Sequence, residues 1–166
     1  FAVPAPGLAR HNASVKVLSV NVGKARPVHI NGRRVMTAIA KDALPATARV
    51  AVKPMGLEGD EQADLSVHGG LSKAVYAYAS EHTPRWESER NRELGLLFET
   101  LPPGSMGENL SLQGVLEADL WIGDQLVMPD CALWVSEPRF PCFKFNARMG
   151  YNQAAKFMVK HGLCGA

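Results

Sequence analysis

Cys142 stands in the run Glu137-Pro138-Arg139-Phe140-Pro141-Cys142-Phe143-Lys144, just beyond a predicted strand. Two prolines stiffen this segment, because each fixes its own φ and restricts the residue before it. Arg139 and Lys144 flank the sulfur in sequence. Nearby cations favour thiolate over thiol, and the thiolate is both a nucleophile and a ligand for soft metals. The bland alternative for a lone cysteine is a small buried hydrophobe. Cys131, in or near a strand, and Cys164, at the extreme end, are assigned to that class.

Two further loops carry suitable groups. In Val67-His68-Gly69-Gly70, followed by Lys73, the paired glycines let backbone N–H groups approach a ligand, and His68 can donate to an anion or shuttle a proton. A tight turn is the alternative. Gly23-Lys24-Ala25-Arg26 places two cations on the loop leaving the first strand, with a solvated surface pair as its alternative. Gly70-Leu71-Ser72-Lys73-Ala74 imitates a nucleophile elbow. Such an elbow follows a strand and opens a helix, whereas a glycine loop precedes this one and a strand-like run follows, so Ser72 is not taken as a nucleophile. If the three basic loops (Gly23–Arg26, His68–Lys73 and Arg139–Lys144) converge, they form one anion pocket with a thiolate on its wall.

Other chemistries lack their patterns. Glu58, Asp60, Glu61 and Asp64 lack the ligand order of an EF-hand, and Asp60 and Asn109 are expected to brace turns through Asx-type bonds. The five histidines and three cysteines have no zinc-finger spacing. There is neither a GxGxxG fingerprint nor a phosphate-binding GxxxxGK loop. Trp86, Trp121 and Trp134 are scattered and are expected to pack rather than to stack on bases.

The chain that must position these groups has 166 residues, enough for one domain with a hydrophobic core. With 46% hydrophobic and 20% charged residues it has the composition of a globular protein. A formal charge of +2 supplies no general field for nucleic acid or an anionic membrane. No apolar run approaches the ~18–20 residues of a membrane span. An odd number of cysteines without a CxxC pair suits a reducing cytoplasm better than a disulfide scaffold. Residues 1–14 lack a signal-peptide pattern and an initiator Met, and are expected to form a trimmed or loosely ordered arm.

Apolar residues at period two predict a strand over Val15–Val22, with Leu18, Val20 and Val22 on one face. Asn31-Gly32 signals a hairpin leading to a strand at Val35–Ala40. Further strands are predicted at Ala48–Val52, Ala74–Tyr78, Glu108–Leu112, Leu120–Ile122, Gln125–Met128 and Ala132–Glu137, and Met55–Gly70 reads as loop. One helix is expected from Ser80 or Thr83 to Leu94 with Pro84 in its first turn, and another over Asn152–Lys160 stopped by Gly162. The sum is a mainly β domain, most economically a small barrel with a few peripheral helices.

Several segments resemble the MOSC domain family in order: Asn21–Arg26, Gly56–Asp64, His68-Gly69-Gly70, Ala74–Tyr78, Gly107–Leu110, Ile122-Gly123-Asp124 and Pro138–Cys142. The name refers to the C-terminal domain of molybdenum cofactor sulfurase, and the likeness is strongest to the bacterial YiiM-like subgroup. The resemblance implies a β-barrel spanning residues 15–166 with a pocket for a molybdopterin-type molybdenum cofactor. Cys142 matches the expected molybdenum ligand. Lys24, Arg26 and His68 match pocket positions, Gly69 and Gly70 would offer N–H groups to the cofactor, and Arg139 and Asn109 extend the set from neighbouring motifs. Cys142 and His68 are the implied catalytic pair. The resemblance further implies reduction of N-hydroxylated small molecules such as 6-hydroxylaminopurine, with electrons from a separate reductase and no nucleic-acid or membrane partner. Pyridoxal phosphate binding accompanies the family as a whole. A non-catalytic cofactor carrier, or a sulfur carrier with a persulfide on Cys142, would use the same motifs. YiiM-like chains continue past the segment matching Lys160–Ala166 into a further strand and a helical bundle, so the chain is read as a fragment, a truncated domain or a short relative, and a missing last strand would leave an open sheet edge.

Overall fold

Val17, Val20 and Val22 supply the β-branched residues of the first strand, whose pairing organises the rest. The computed structural model describes residues 15–166, and the expected arm at residues 1–14 lies outside the described residues. In chain order the strands are β1 (Lys16–Val22), β2 (Arg26–Ile30), β3 (Arg33–Thr37), β4 (Asp42–Ala43), β5 (Val52–Lys53), β6 (Gly56–Leu57), β7 (Ala77–Ala79), β8 (Leu110–Gln113), β9 (Gln125–Val127) and β10 (Ala132–Trp134). The helices are α1 (Thr83–Leu94), α2 (Phe143–Met149) and α3 (Ala154–Lys160).

One mixed sheet runs in the order β4-β1-β8-β7, with β7 parallel to β8 and the other pairs antiparallel. Three separate two-stranded ribbons, β2–β3, β5–β6 and β9–β10, surround it. The expected closed barrel is not formed among the described residues, and the helices claim about as much chain as the strands. The physical reason lies in strand length: β4, β5 and β6 have two residues each, too short to bridge one sheet edge to the other. Instead the free edge of β7 is met by the chain's last residue, since Ala77 and Ala166 exchange N–H···O bonds of 2.7 and 3.0 Å.

The register of β1 shifts between Val17 and Ser19. This irregularity turns Leu18 outward, while Val17, Val20 and Val22 pack toward Leu57, Ala77, Leu110, Leu112 and Val115. The expected face of Leu18, Val20 and Val22 is therefore wrong at Leu18. The Asn31-Gly32 hairpin is as expected: φ is +50° and +75° at the two turn residues, the geometry a two-residue primed turn demands.

A second apolar cluster lies between the helices and the sheet. Trp86, the buried residue of an otherwise polar α1, meets Phe145 of α2 and Phe157 of α3 edge-on, with ring centroids 5.4 and 5.0 Å apart. Its indole N–H donates to the Tyr78 hydroxyl at 2.6 Å, and Met149, Met158 and Cys164 complete the cluster. Trp121 and Trp134 are exposed, which corrects the expectation that all three tryptophans pack. Leu120–Ile122 makes a turn rather than a strand, and α2 was not anticipated. No helix among the described residues is long and apolar enough to cross a membrane.

Candidate active site

Between the sheet and α2 lies an open-sided cavity of about 120 Å³, with Ile39, Tyr76, Met106, Phe145 and Met158 as apolar lining. Cys142 is half-buried on its wall, in extended backbone immediately before α2. The Cys142 carbonyl accepts the Phe145 N–H at 2.9 Å, which ties the residue to the first turn.

Arg139 lies three residues upstream, its guanidinium 5.2 Å from the centre of the Tyr76 ring. Its Nη1 donates to the carbonyls of His68 and Lys73 at 3.5 and 3.4 Å, which joins the cysteine segment to the glycine loop. Burial draws the Arg139 pKa below its ordinary range, against the raising effects of Tyr76, Glu137 and Asp60. His68 also faces the cavity. Burial lowers its pKa first, and the charges of Lys144 and Arg139 lower it further, so the imidazole is neutral near neutral pH.

Gln62 holds the glycine loop in place. Its Oε1 accepts the Gly70 N–H at 2.8 Å, and its Nε2 donates to Met55 O at 2.9 Å. A Cβ on Gly69 would fall 2.4 Å from that same Oε1, so only glycine allows the approach.

In the cavity lining, Asp60 and Lys41 form an ion pair of 2.5 Å with side chains only 5% and 7% exposed. Asp60 Oδ1 also accepts the Gly23 N–H at 2.8 Å, and Oδ2 accepts Asn109 Nδ2 at 2.9 Å. Asn109 in turn accepts the Tyr76 N–H at 3.0 Å and donates to Asn21 O at 3.2 Å. Asp60 and Asn109 therefore brace the site, but through bonds between distant segments rather than the local Asx turns expected. Neighbouring Glu108 braces the loop before β8 by accepting the N–H groups of Gly104 and Met106 and the Ser111 hydroxyl.

Cys142, His68, Asn109 and Arg139 thus share one cavity wall, while Lys24, Arg26, Gly69 and Gly70 are outside the lining. Lys24 is 67% exposed and pairs with Glu61 at 3.1 Å. Arg26 begins β2 on the surface. Two of the three basic loops bring cationic side chains to the cavity, and the third only touches its lining residue Asp60 through the Gly23 N–H. Lys41 fills the vacant role, unsignalled by any motif in Ala40-Lys41-Asp42. Lys73 is paired with Glu137 at 3.3 Å, and Ser72 donates to the same carboxylate at 2.7 Å. Among the described residues, Arg139 and Lys144 are the lining cations with no carboxylate within ion-pair distance.

No group of three or more His, Cys, Asp or Glu among the described residues could hold a metal ion. The site offers one thiol and two cations without an ion-pair partner among the described residues. It therefore fits a metal that arrives with most of its ligands already attached and with an anionic group beside it.

The mixed sheet positions a thiol-bearing cavity, and comparison with known proteins defines the class. The MOSC domain family profile matches residues 64–166. Protein YiiM of Escherichia coli K12 is 35% identical over 129 residues, 78% of this chain and 55% of YiiM. A protein named reductase from Gibberella moniliformis is 34% identical over 150 residues, 90% of this chain and 25% of its own length. The crystal structure of YiiM from Geobacillus stearothermophilus superposes with a TM-score of 0.63 at 30% identity, over 91% of this chain and 65% of that one. The chain belongs to the MOSC domain family and is YiiM-like within it. It spans about half of YiiM and a quarter of the reductase.

Proposed function

We propose that residues 15–166 form one MOSC domain that binds a molybdopterin-type molybdenum cofactor through Cys142 and reduces N-hydroxylated compounds such as 6-hydroxylaminopurine in the cytoplasm. The observation that carries this reading is a lone thiol on a cavity wall that also holds Arg139, Lys144 and a neutral His68. Family membership and the similarity to a protein named reductase support an oxidoreductase role. Three free cysteines suit a reducing compartment.

When bound, the cofactor supplies the two-electron oxygen chemistry that no side chain here can perform. Cys142 would donate its sulfur to complete the metal's ligand set. Arg139 and Lys144 would hold the cofactor's phosphate by charge-assisted hydrogen bonds. Reduction of an N-hydroxyl group to the amine consumes two electrons and two protons and releases water. His68 relays one of those protons, one ring nitrogen giving while the other is refilled from solvent. The apolar lining at Ile39, Met106 and Met158 limits water around the reacting group.

The test is Cys142→Ser in protein purified from cofactor-making cells. Molybdenum content should fall at least tenfold with an unchanged circular dichroism spectrum, and turnover of 6-hydroxylaminopurine with reduced methyl viologen should be lost. Full metal content in the variant removes the proposed ligand. Cofactor transfer to another apoenzyme without turnover makes the chain a carrier.

A further inference from the structure

We propose that the β2–β3 ribbon is the docking surface for the protein that delivers electrons to the cavity, and that this partner presents an acidic face. The inference deepens the functional reading above and rests on it. Between Asn21 and Lys41 the sequence has five Lys and Arg and no Asp or Glu, in a chain of formal charge only +2. Lys24 and Lys41 are paired with Glu61 and Asp60, which leaves Arg26, Arg33 and Arg34 as the cations of the projection.

That projection is a five-pair antiparallel ribbon about 17 Å long, hydrogen-bonded to no other strand among the described residues. Val28 lies opposite Val35 on its inner face, whereas the outer face sets exposed His29 against Arg34 and Pro27 against Met36. Arg33, at the turn, is exposed as well. Among the described residues, Arg26, Arg33 and Arg34 have no carboxylate within ion-pair distance.

The ribbon is rooted in the cavity. Asp60 grips both ends of the excursion, accepting Gly23 N–H at its start and Lys41 Nζ at its end. Glu61 accepts the Ala25 N–H at 2.9 Å and pairs with Lys24. Thr37, the last residue of β3, lines the cavity together with Asp60 and Glu61. A partner seated on the ribbon therefore sits beside the place where electrons are needed.

The observations favour a protein over a nucleic acid. An exposed apolar pair, Pro27 and Met36, lies beside the cations, as in a small transient protein interface. The ribbon's dimensions suit the small contact of a redox encounter. Nucleic-acid binding draws on a domain-wide basic charge that +2 does not provide.

The test mixes the holoprotein with an acidic flavodoxin, reduced by dithionite, as the donor probe. The second-order rate of flavodoxin reoxidation should fall steeply between about 20 mM and about 300 mM salt. The doubly reversed variant R33E/R34E should lose at least about tenfold of that rate at low salt and show a flattened salt dependence, while viologen-driven turnover stays at the wild-type level. R33Q/R34Q should fall between the two. Binding of fluorescently labelled flavodoxin, which needs no turnover, is measured in parallel. Absent viologen-driven turnover in the wild type refutes the functional reading, whereas flavodoxin binding unchanged by R33E/R34E refutes the ribbon. Tighter binding of a single-stranded oligonucleotide or of phosphatidylserine vesicles than of flavodoxin also overturns the proposal.

Discussion

Asp60→Ala strikes the point where the cavity is braced. The substitution leaves the Lys41 ammonium without its partner in a site where that side chain is 7% exposed. It also orphans the Gly23 N–H and one Asn109 N–H. Removing one member of a buried pair costs about 3–5 kcal/mol, and each orphaned buried donor about 1–3 kcal/mol, so a loss of at least about 3 kcal/mol is expected. Lys41→Met should cost less, because Asp60 keeps Gly23 and Asn109 as donors. The double variant should recover about 1–3 kcal/mol relative to the sum of the singles, since no charge is then stranded. Burial holds the Lys41 pKa below its ordinary 10.5 even with Asp60 present, and Asp60 is the largest influence raising it. In Asp60→Ala the folded-state pKa falls further. Over the window between that value and the unfolded one, the unfolded chain binds more protons, so stability rises with pH. The deficit against wild type, measured by urea denaturation, should therefore shrink as pH rises from 7 toward the wild-type Lys41 pKa. A deficit that stays constant across that range refutes the stranded-charge argument.

His68 should titrate below its unfolded value of about 6.5, because burial and then Lys144 and Arg139 disfavour its charged form. The stability tied to that shift is present above the unfolded value and is lost as pH falls through the folded one. Lys144→Met should move the NMR-observed imidazole titration upward, and an unmoved titration counts against the shared cavity wall. Trp86→Ala should cost about 3–5 kcal/mol in chemical denaturation, whereas Tyr78→Phe, which strands the indole N–H, should cost about 1–3 kcal/mol. A Trp86→Ala loss under about 1 kcal/mol is incompatible with a ring 0% exposed between Phe145 and Phe157. Gly69→Ala should displace Gln62 from the Gly70 N–H and reduce molybdenum content more than thermal stability, and equal metal occupancy refutes the clamp.

What could be read from the sequence was local. The Asn31-Gly32 turn, the start of α1 near Pro84 and its end at Leu94, and the loop character of most of Met55–Gly70 follow from backbone preferences that neighbouring residues set. The barrel did not follow, because closure depends on long-range pairing that two-residue strands do not sustain. Periodicity failed at Leu18, where one register irregularity exchanges the faces of β1. At the site, Cys142, His68 and Arg139 were conspicuous by type and setting. Lys41 and Gln62 were not, because each acts through a fold of the loop that no motif signals: Lys41 on Asp60, and Gln62 on Met55 and Gly70. Lys24 and Arg26 carry the right charge in the right motif, yet the β1–β2 loop and the first residue of β2 place them on the surface.

The unequal surroundings of the three tryptophans give the molecule a built-in optical division. Trp121 and Trp134 face water, and Trp86 does not. Acrylamide added to the native protein will silence the first two, and the residual short-wavelength emission will come from the indole enclosed by the helices. Any event that loosens α2 beside the thiol can thus be followed as a red shift in that remainder, without a label.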